Sequence, residues 1–333
     1  MRASVEVTTG GAAEVRVGIL GAGFAAGRHA EKLTALDGVR VCAVADQQAD
    51  RARALADRHG ARVAQGVEGL LDAGVDCLYL CVPPSEHGRP EECAIEAGVP
   101  ILVEKPLAAD LATAEAIATK LEDAGLLAVA GYQWRYLDTL QTARDLLAGA
   151  PARMFLGSWL DKAPRTPWWA DQQRSGGQVV EQATHLLDVA RTLVGEVETV
   201  RADRAHDPAG PGDIAHAFTS TLRFGTGAVG SVSTTCLLCG GYRMAAEVFG
   251  PALALRLTEK DLTVVDVQGE RTLVPAVDPV LELDRQFVRA VRGEQADLRS
   301  TYAEAIRTHR LAWALTEAAR SGTTTGPAGA VRG

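Results

Sequence analysis

The sequence of 333 residues has few of the features that mark membrane or nucleic-acid-binding proteins. Its net charge is −8, and because no stretch is strongly basic we expect no nucleic-acid partner. The longest apolar runs, such as residues 75–82, stop well short of the roughly 18 residues that a membrane-spanning helix needs. Residues 1–14 lack the apolar core of a secretory signal. We therefore expect a cytoplasmic protein that binds no membrane.

Cysteine is scarce, with six residues in the whole chain. Only Cys236 and Cys239 stand at a spacing that suits a metal ion, and no second pair follows them. Free thiols in a reducing compartment fit this pattern better than zinc or disulfides. We therefore expect no metal site.

Length and composition indicate two globular domains. Hydrophobic residues make up 47% of the chain and charged residues 23%, which is a globular profile. The pattern of elements predicts one domain at residues 14–133 and a second at 134–321. Residues 1–13 and 322–333, rich in Gly and Thr, are predicted to be flexible tails.

Short apolar runs alternate with amphipathic stretches in the first half. The predicted strands are Val15–Leu20, Val39–Ala45, Val75–Val82, Ile101–Val103 and Leu126–Ala130. The predicted helices are His29–Leu36, Gln48–His59, Glu86–Ala97 and Ala112–Ala124. Apolar strands separated by helices predict a parallel sheet covered on both faces, an α/β domain of the doubly wound Rossmann type.

The second half has a different order of predicted elements, in which strands follow one another and are separated by Gly-containing turns. The clearest strand patterns are 153–160, 215–224, 228–236 and 243–249, and the predicted helices are 138–147, 178–194, 280–291 and 302–320. Successive strands with short turns predict a large open, mostly antiparallel sheet. We therefore expect an α+β domain here.

A glycine-rich turn, residues 21–27, directly follows the first predicted strand and opens a helix. In this context glycines let the backbone approach a pyrophosphate at the positive N-terminus of the helix. The turn predicts dinucleotide contacts at Gly21, Gly23, Phe24 and Ala25.

Asp46 ends the second predicted strand, where a carboxylate can accept hydrogen bonds from the adenosine ribose. A carboxylate there repels a 2′-phosphate, so NAD is favoured over NADP. Arg51 lies close enough in sequence to leave NADP open. The alternative interpretation is that Asp46 caps the next helix.

Glu104-Lys105-Pro106 ends the fifth predicted strand, at the sheet edge where ligands bind in such folds. A lysine there can hydrogen-bond a substrate oxygen and stabilise developing alkoxide charge. The alternative is a surface lysine before a turn proline.

Three further segments, 81–87, 131–135 and 176–188, together with Glu104-Lys105-Pro106, resemble the glucose–fructose oxidoreductase, inositol dehydrogenase and rhizopine-catabolism (Gfo/Idh/MocA) family over about residues 15–321. The resemblance implies that Lys105 and His185 lie beside the nicotinamide, with the Lys105–Pro106 region in a tight turn that can be cis. It implies further cofactor contacts at Pro83, His87 and Glu104. It also implies a homodimer or homotetramer.

His185 stands on an otherwise apolar helix, a pattern more typical of a core histidine than of a catalytic one. Its position after the Gly176-Gly177 turn, and the family resemblance, favour catalysis, and its usual pKa suits proton transfer at neutral pH. The family has Asp where this chain has Glu181, four residues earlier. Glu181 shares a helix face with His185 and can orient the imidazole or bind a substrate hydroxyl.

The remaining substrate-binding candidates are polar and aromatic. Tyr132 and Arg135 are expected to position the ligand. The loop before the histidine helix adds aromatic faces for a sugar ring and cations for an anionic group, namely Trp168, Trp169, Lys162 and Arg165. The tryptophans can instead anchor a subunit contact or the seam between domains. Weaker candidates are Asp213, His216 and Tyr242.

These features predict a NAD(P)-dependent oxidoreductase that interconverts a hydroxyl and a ketone on a sugar, nucleotide sugar or cyclitol, with Lys105 and His185 at the reaction centre. Three alternatives stay open: a reductase of an imine or a non-sugar carbonyl in secondary metabolism, an NAD(H)-sensing protein without turnover, and an enzyme that regenerates a permanently bound NAD.

Overall fold

The computed structural model describes residues 14–327, and its first domain is built on a six-stranded parallel sheet. The strands are β1 (Val15–Leu20), β2 (Val39–Ala45), β3 (Arg62–Val63), β4 (Cys77–Leu80), β5 (Ile101–Val103) and β6 (Ala128–Ala130). Their order in the sheet is β3-β2-β1-β4-β5-β6. This order reverses between β1 and β4, the point at which open α/β sheets bind ligands.

Helices cover both faces of this sheet, because its strands are apolar on both sides. The helices are α1 (Phe24–Leu33), α2 (Ala49–His59), α3 (Gly66–Leu71), α4 (Arg89–Ala97) and α5 (Leu111–Ala124). Asp110 caps α5 by accepting a hydrogen bond from the Thr113 amide, and Gly125 ends the helix in the left-handed conformation. The predicted Rossmann domain is confirmed.

The main differences from prediction in this domain are local. Helix α1 begins at Phe24, directly after the glycine-rich turn, and not at His29 as predicted. Strand β3 was not predicted, because its two residues are both exposed and give no hydrophobic signal. The strand predicted at 75–82 is confined to Cys77–Leu80.

The second domain carries an eight-stranded sheet of order β14-β13-β12-β11-β7-β10-β9-β8. Its strands are β7 (Met154–Leu160), β8 (Val197–Ala205), β9 (Ala217–Phe224), β10 (Val229–Thr235), β11 (Arg243–Gly250), β12 (Leu253–Leu257), β13 (Leu262–Asp266) and β14 (Gly269–Leu273). Only β7 and β10 pair in parallel, and every other neighbouring pair among the described strands is antiparallel. The predicted mostly antiparallel sheet is confirmed.

The described residues after the first domain also form the helices α6 (Asp138–Gly149), α7 (Gln172–Ser175), α8 (Thr184–Leu193), α9 (Pro279–Val291) and α10 (Tyr302–Ser321). A π-helical turn, Val179–Ala183, leads into α8. Apolar residues of α6, α8 and α10 pack on one face of the sheet, around Phe155, Leu186 and Leu315. This packing fixes the π-helical turn, which contains Glu181, and the start of α8, which contains His185.

Helix α9, which follows the predicted boundary at residue 134 by well over a hundred residues, packs on the first domain. Leu283, Phe287 and Val288 of this helix pack into the core of the first domain, against α1. Thr301 then pairs with Val129 at the edge of the first sheet. The chain therefore returns to the first domain before α10, through contacts between residues too distant in sequence to be predicted.

The predicted flexible tail at 322–333 requires a correction for its described part, residues 322–327. Thr325 pairs with Val200 of β8, and its hydroxyl donates to the Ala314 carbonyl at 2.9 Å. Residues 1–13 and 328–333, the rest of the predicted tails, lie outside the described residues. Within the described part of the chain, no helix combines the length and apolar character needed to cross a membrane.

Candidate active site

A cavity of about 790 Å³ lies at the carboxyl ends of the first sheet's strands and extends to the second domain. It brings together most of the residues predicted for the cofactor and the reaction centre. Those that line it are Gly21, Gly23, Phe24, Ala25, Asp46, Pro83, Glu104, Lys105, Trp168, Glu181 and His185. The cavity is thus formed by the motifs of both domains.

The glycine-rich turn has the geometry that a dinucleotide requires. Gly21 has φ +90°, and a Cβ there would lie 2.2 Å from the Cys81 carbonyl oxygen, so only glycine fits the turn. A Cβ at Gly23 would meet no atom within 4 Å. Gly23 precedes α1, and no side chain caps the amides of the first helical turn. Open space and uncapped amides at the same point fit a pyrophosphate.

Two backbone amides hold the carboxylate of Asp46. Its Oδ2 accepts from the Ala22 amide at 2.7 Å, and its Oδ1 accepts from the Gln48 amide at 2.7 Å. The carboxylate therefore links the glycine-rich turn to the end of β2. Each oxygen keeps a lone pair for a hydroxyl donor such as a ribose. No side chain of the described residues caps α2, since the Gln48 amide that Asp46 binds precedes the helix, and the predicted ribose-binding role stays open to the carboxylate.

Glu104 belongs to a charge network in the wall of the cavity. His29 of α1 lies between Asp284 of α9, at 2.7 Å from Nδ1, and Glu104, at 3.1 Å from Nε2. Burial lowers the pKa of His29, but the charge of Asp284 and the hydrogen bonds to both carboxylates outweigh it and raise that pKa to about 10. Gly131 leaves room for the Glu104 carboxylate, since a Cβ there would lie 2.8 Å away.

Lys105 reaches from the first domain to the π-helical turn of the second. The Lys105–Pro106 peptide is cis. Lys105 Nζ donates to the main-chain oxygen of Glu181 at 2.8 Å and to Glu181 Oε1 at 2.9 Å. The other carboxylate oxygen, Oε2, accepts from the indole N–H of Trp169 at 2.6 Å. The ammonium group is therefore fixed at the boundary between the two domains.

His185 is held by aromatic rings. Its imidazole packs against both Trp159 and Trp134, with ring centroids at 5.8 and 6.0 Å and interplanar angles of 15° and 23°, and the centroids of the two indoles are themselves 6.4 Å apart. Burial lowers the pKa of His185 well below its usual value, and the positive charges of Lys105 and Arg28 lower it further. The imidazole is therefore neutral at physiological pH.

The Glu181 carboxylate has no hydrogen bond to this imidazole among the described residues, and its two predicted roles stay predictions. Both of its carboxylate oxygens have other partners, and Nδ1 of His185 is buried without a hydrogen-bond partner among the described residues. Helical spacing places Glu181 and His185 near each other, but Lys105 and Trp169 offer the carboxylate stronger donors.

Three predicted contacts are turned away from the cavity. The Tyr132 hydroxyl is 2.6 Å from Thr184 Oγ1, and His87 Nδ1 is 2.6 Å from Glu91 Oε1. Arg135 forms a bidentate ion pair with Asp188, with both N···O distances at 2.7 Å. Each polar group is satisfied inside the protein, and none of the three residues lines the cavity. They support the site from behind and do not contact it.

The predicted binding loop is only partly at the site. Trp168 lines the cavity, whereas Trp169 is buried and Lys162, Arg165 and Tyr242 lie elsewhere on the surface. Asp213 accepts from the Gln172 amide at 2.7 Å, and His216 Nδ1 accepts from the Asp207 amide at 2.8 Å. These two side chains stabilise loops outside the cavity. Lys162, Arg165, Trp169, Asp213, His216 and Tyr242 do not line the cavity, and their assignment to substrate contact stays a prediction.

Sequence reasoning missed several lining residues: Arg28, Gln133, Trp159, Thr166, Arg174 and Glu259. The alternation along β7 carried a signal for Trp159, since it shares a face with the buried Phe155. Arg28 and Glu259 form an ion pair of 3.5 Å between α1 and the β12–β13 turn. That pair joins the two domains, and neither partner could be predicted from local sequence.

Comparison with protein families gives two matches. The model described as an oxidoreductase family with an NAD-binding Rossmann fold (GFO_IDH_MocA) matches residues 15–132. The model of the GFO/IDH/MocA C-terminal domain matches residues 150–256. Together they cover the glycine-rich turn, Asp46, Lys105 and His185.

Individual proteins show the same similarity. Myo-inositol 2-dehydrogenase of Thermotoga maritima is 26% identical over 268 residues, covering 77% of this chain and 80% of its own. Inositol 2-dehydrogenase 1 of Saccharopolyspora erythraea is 28% identical over 321 residues, covering 94% and 88%. Levoglucosan dehydrogenase in complex with NADH and L-sorbose superimposes with a TM-score of 0.85 at 21% identity, covering 94% of this chain and 99% of that one.

Proposed function

Because the chain belongs to the Gfo/Idh/MocA family of NAD-binding oxidoreductases, we propose that it interconverts a hydroxyl and a ketone on a sugar, nucleotide sugar or cyclitol. The family and the use of NAD, both predicted from the sequence, are thereby confirmed. The observation that carries the proposal is that Lys105 and His185, from different domains, line one cavity with the dinucleotide fingerprint. The inositol dehydrogenases among the relatives favour a polyol substrate.

Gly21, Gly23 and the start of α1 would hold the pyrophosphate, and Asp46 would accept hydrogen bonds from the adenosine ribose. When bound, NAD supplies the nicotinamide ring that accepts or donates the hydride. Asp46 disfavours the 2′-phosphate of NADP by charge. We expect NADH to bind more tightly than NADPH even though Arg51 lines the same part of the cavity.

Lys105 positions the substrate oxygen. Two of its donors are used by Glu181, and an ammonium group has a further N–H to give. That donor stabilises the negative charge that develops on the oxygen when a hydroxyl loses its proton or a ketone gains hydride. Because Glu181 neutralises the lysine, the pair adds no net charge to the site.

His185 moves the proton. In oxidation Nε2 accepts the proton of the substrate hydroxyl, since Nδ1 is buried. In reduction the protonated ring returns it to the oxygen. The lowered pKa of His185 keeps the imidazole neutral and ready to accept at pH 7.

The test is a panel of cyclitols, aldoses, ketoses and cyclic imines, assayed with NAD⁺ or NADH at 340 nm. Turnover of a polyol that is lost in Lys105→Met supports the proposal. Turnover of imines alone would establish the alternative reductase. NADH binding without turnover of any compound would indicate a sensor, and NAD retained through purification would indicate a permanently bound cofactor.

We also propose that the chain forms a homodimer or homotetramer through the second sheet. Helices cover only one face of that sheet, and the other exposes Met154 (38%), Val229 (49%) and Val265 (41%). Light scattering after size exclusion measures the mass, and a monomer at micromolar concentration would contradict this. All six cysteines are free, in keeping with a cytoplasmic location.

A further inference from the structure

Trp169 is a buried tryptophan whose indole N–H has one described partner, the carboxylate of Glu181. The residue is 1% exposed, and its Nε1–Oε2 distance is 2.6 Å. The opposite oxygen of the same carboxylate binds Lys105 Nζ at 2.9 Å. An indole, a carboxylate and an ammonium group thus form one chain of hydrogen bonds that ends inside the cavity.

The loop around Trp169 is built to keep the indole in place. Trp169 packs against Ile214 and Cys236 in a small apolar cluster of its own. The next carbonyl, that of Ala170, accepts from the Asp213 amide at 3.1 Å. Gly212 allows the two backbones to approach, because a Cβ there would lie 1.8 Å from the Ala170 oxygen. The indole N–H is therefore presented from a fixed scaffold.

The length of the Glu181 side chain is what connects the two donors. Its backbone oxygen and one carboxylate oxygen contact Lys105, while the other carboxylate oxygen contacts Trp169. An aspartate at this position is one methylene shorter and cannot reach both donors from the same backbone. A glutamate at position 181 therefore has the length needed to link Lys105 to Trp169.

We propose that Trp169 is a positioning residue that acts through Glu181 to hold Lys105 Nζ where the substrate oxygen binds. This inference rests on the proposed function for the role of Lys105, but the contact itself is present without substrate. Charge-assisted hydrogen bonds of this kind fix geometry as well as adding stability. Loss of the indole N–H would leave the carboxylate free to rotate and Lys105 free to leave its position.

The deciding experiment measures the reactivity of Lys105 and needs no substrate. Acetic anhydride labels free amines, and peptide mass spectrometry gives the labelling rate of Lys105 relative to the exposed Lys260. Trp169→Phe keeps an aromatic ring and removes the N–H donor. Trp313→Phe is the matched control, because it removes an indole N–H that binds His309 Nε2 at 3.2 Å in α10. Glu181→Gln removes the charge that holds Lys105 directly.

We expect labelling of Lys105 to rise at least about threefold in Trp169→Phe and Glu181→Gln and to stay unchanged in Trp313→Phe. The inference would be overturned if Lys105 labelling increased in Glu181→Gln but not in Trp169→Phe. It would also be overturned if labelling increased in neither variant. If Trp169→Phe does not fold, Trp169→Leu decides in its place, since it also removes the N–H donor and keeps an apolar side chain. In a folded Trp169→Phe protein, adding Glu181→Asp should have little further effect.

Turnover separates positioning from a merely structural role. On a polyol that the enzyme oxidises, Trp169→Phe should lower kcat about tenfold and leave the KM for NAD⁺ within about twofold. A rise in that KM with kcat unchanged would contradict positioning of Lys105. If no polyol is oxidised, the proposed function fails while the labelling result still decides this inference.

Discussion

Two buried histidines line the same cavity, and one is protonated whereas the other is neutral. His29 lies between two carboxylates, which raise its pKa to about 10 in spite of burial. His185 packs against two indole rings, and burial and nearby cations lower its pKa well below the usual value. Burial alone therefore does not decide the protonation state of a histidine. The partners do, and here they make His29 a fixed cation and leave His185 able to accept a proton.

The largest effect is expected from His185→Ala. Loss of the proton acceptor should lower kcat about 10²- to 10⁴-fold, with NADH affinity little changed. His309→Asn is the matched control, since burial lowers the pKa of His309 to about 4 and it lies outside the cavity. Equal loss of kcat in both variants would contradict a specific role of His185 as proton acceptor. Equal loss of kcat and NADH affinity in His185→Ala would contradict it as well.

Asp284→Asn tests the other histidine. It removes the closer counter-charge of His29 inside the protein, and a buried ion left short of its partner is costly. We expect the free energy of unfolding at pH 7 to fall by about 3 kcal/mol, measured by urea denaturation. A change below about 0.5 kcal/mol would mean that the network carries little stability.

The two histidines should also give opposite pH dependences of stability. Since the pKa of His29 is raised from 6.5 to about 10, its contribution is complete below pH 6.5 and is lost as pH rises towards 10. Because the pKa of His185 is lowered in the folded protein, its contribution to stability is present above pH 6.5 and is lost on acidification. The stability difference between wild type and His29→Gln should therefore shrink by up to about 1.4 kcal/mol per pH unit between pH 6.5 and 9.5. A constant difference would contradict a charged His29.

The smallest effect is expected from Glu104→Gln. Glu104 Oε1 accepts from His29 and Oε2 accepts from the Lys105 amide, whereas the single oxygen of a glutamine amide can replace only one of these two acceptors, and the charge is lost. We expect about 1 kcal/mol less stability at pH 7, well below the effect of Asp284→Asn. Urea denaturation of the two variants side by side measures the ranking, and the reverse order would assign the main counter-charge to Glu104.

The sequence predicted best what local motifs determine. β1, β2 and β5 have the predicted bounds, and the glycine-rich turn needs only its own backbone and the neighbouring strand. Arg135 looked like a ligand contact because its partner, Asp188, lies 53 residues away. His29 could not be recognised, since Asp284 is 255 residues away on a helix that returns to the first domain. Long-range pairing thus decided which polar residues face the cavity.

The most direct test of the account is the pH dependence of single-turnover oxidation of a polyol by the NAD⁺-loaded enzyme. His185 is neutral in its aromatic site, so the rate should stay constant as pH falls from 9 through 6.5 and decline only at clearly lower pH. A rate that falls about tenfold per pH unit directly below 6.5 would show an ordinary histidine. It would contradict the assignment of His185 as the buried, neutral proton acceptor.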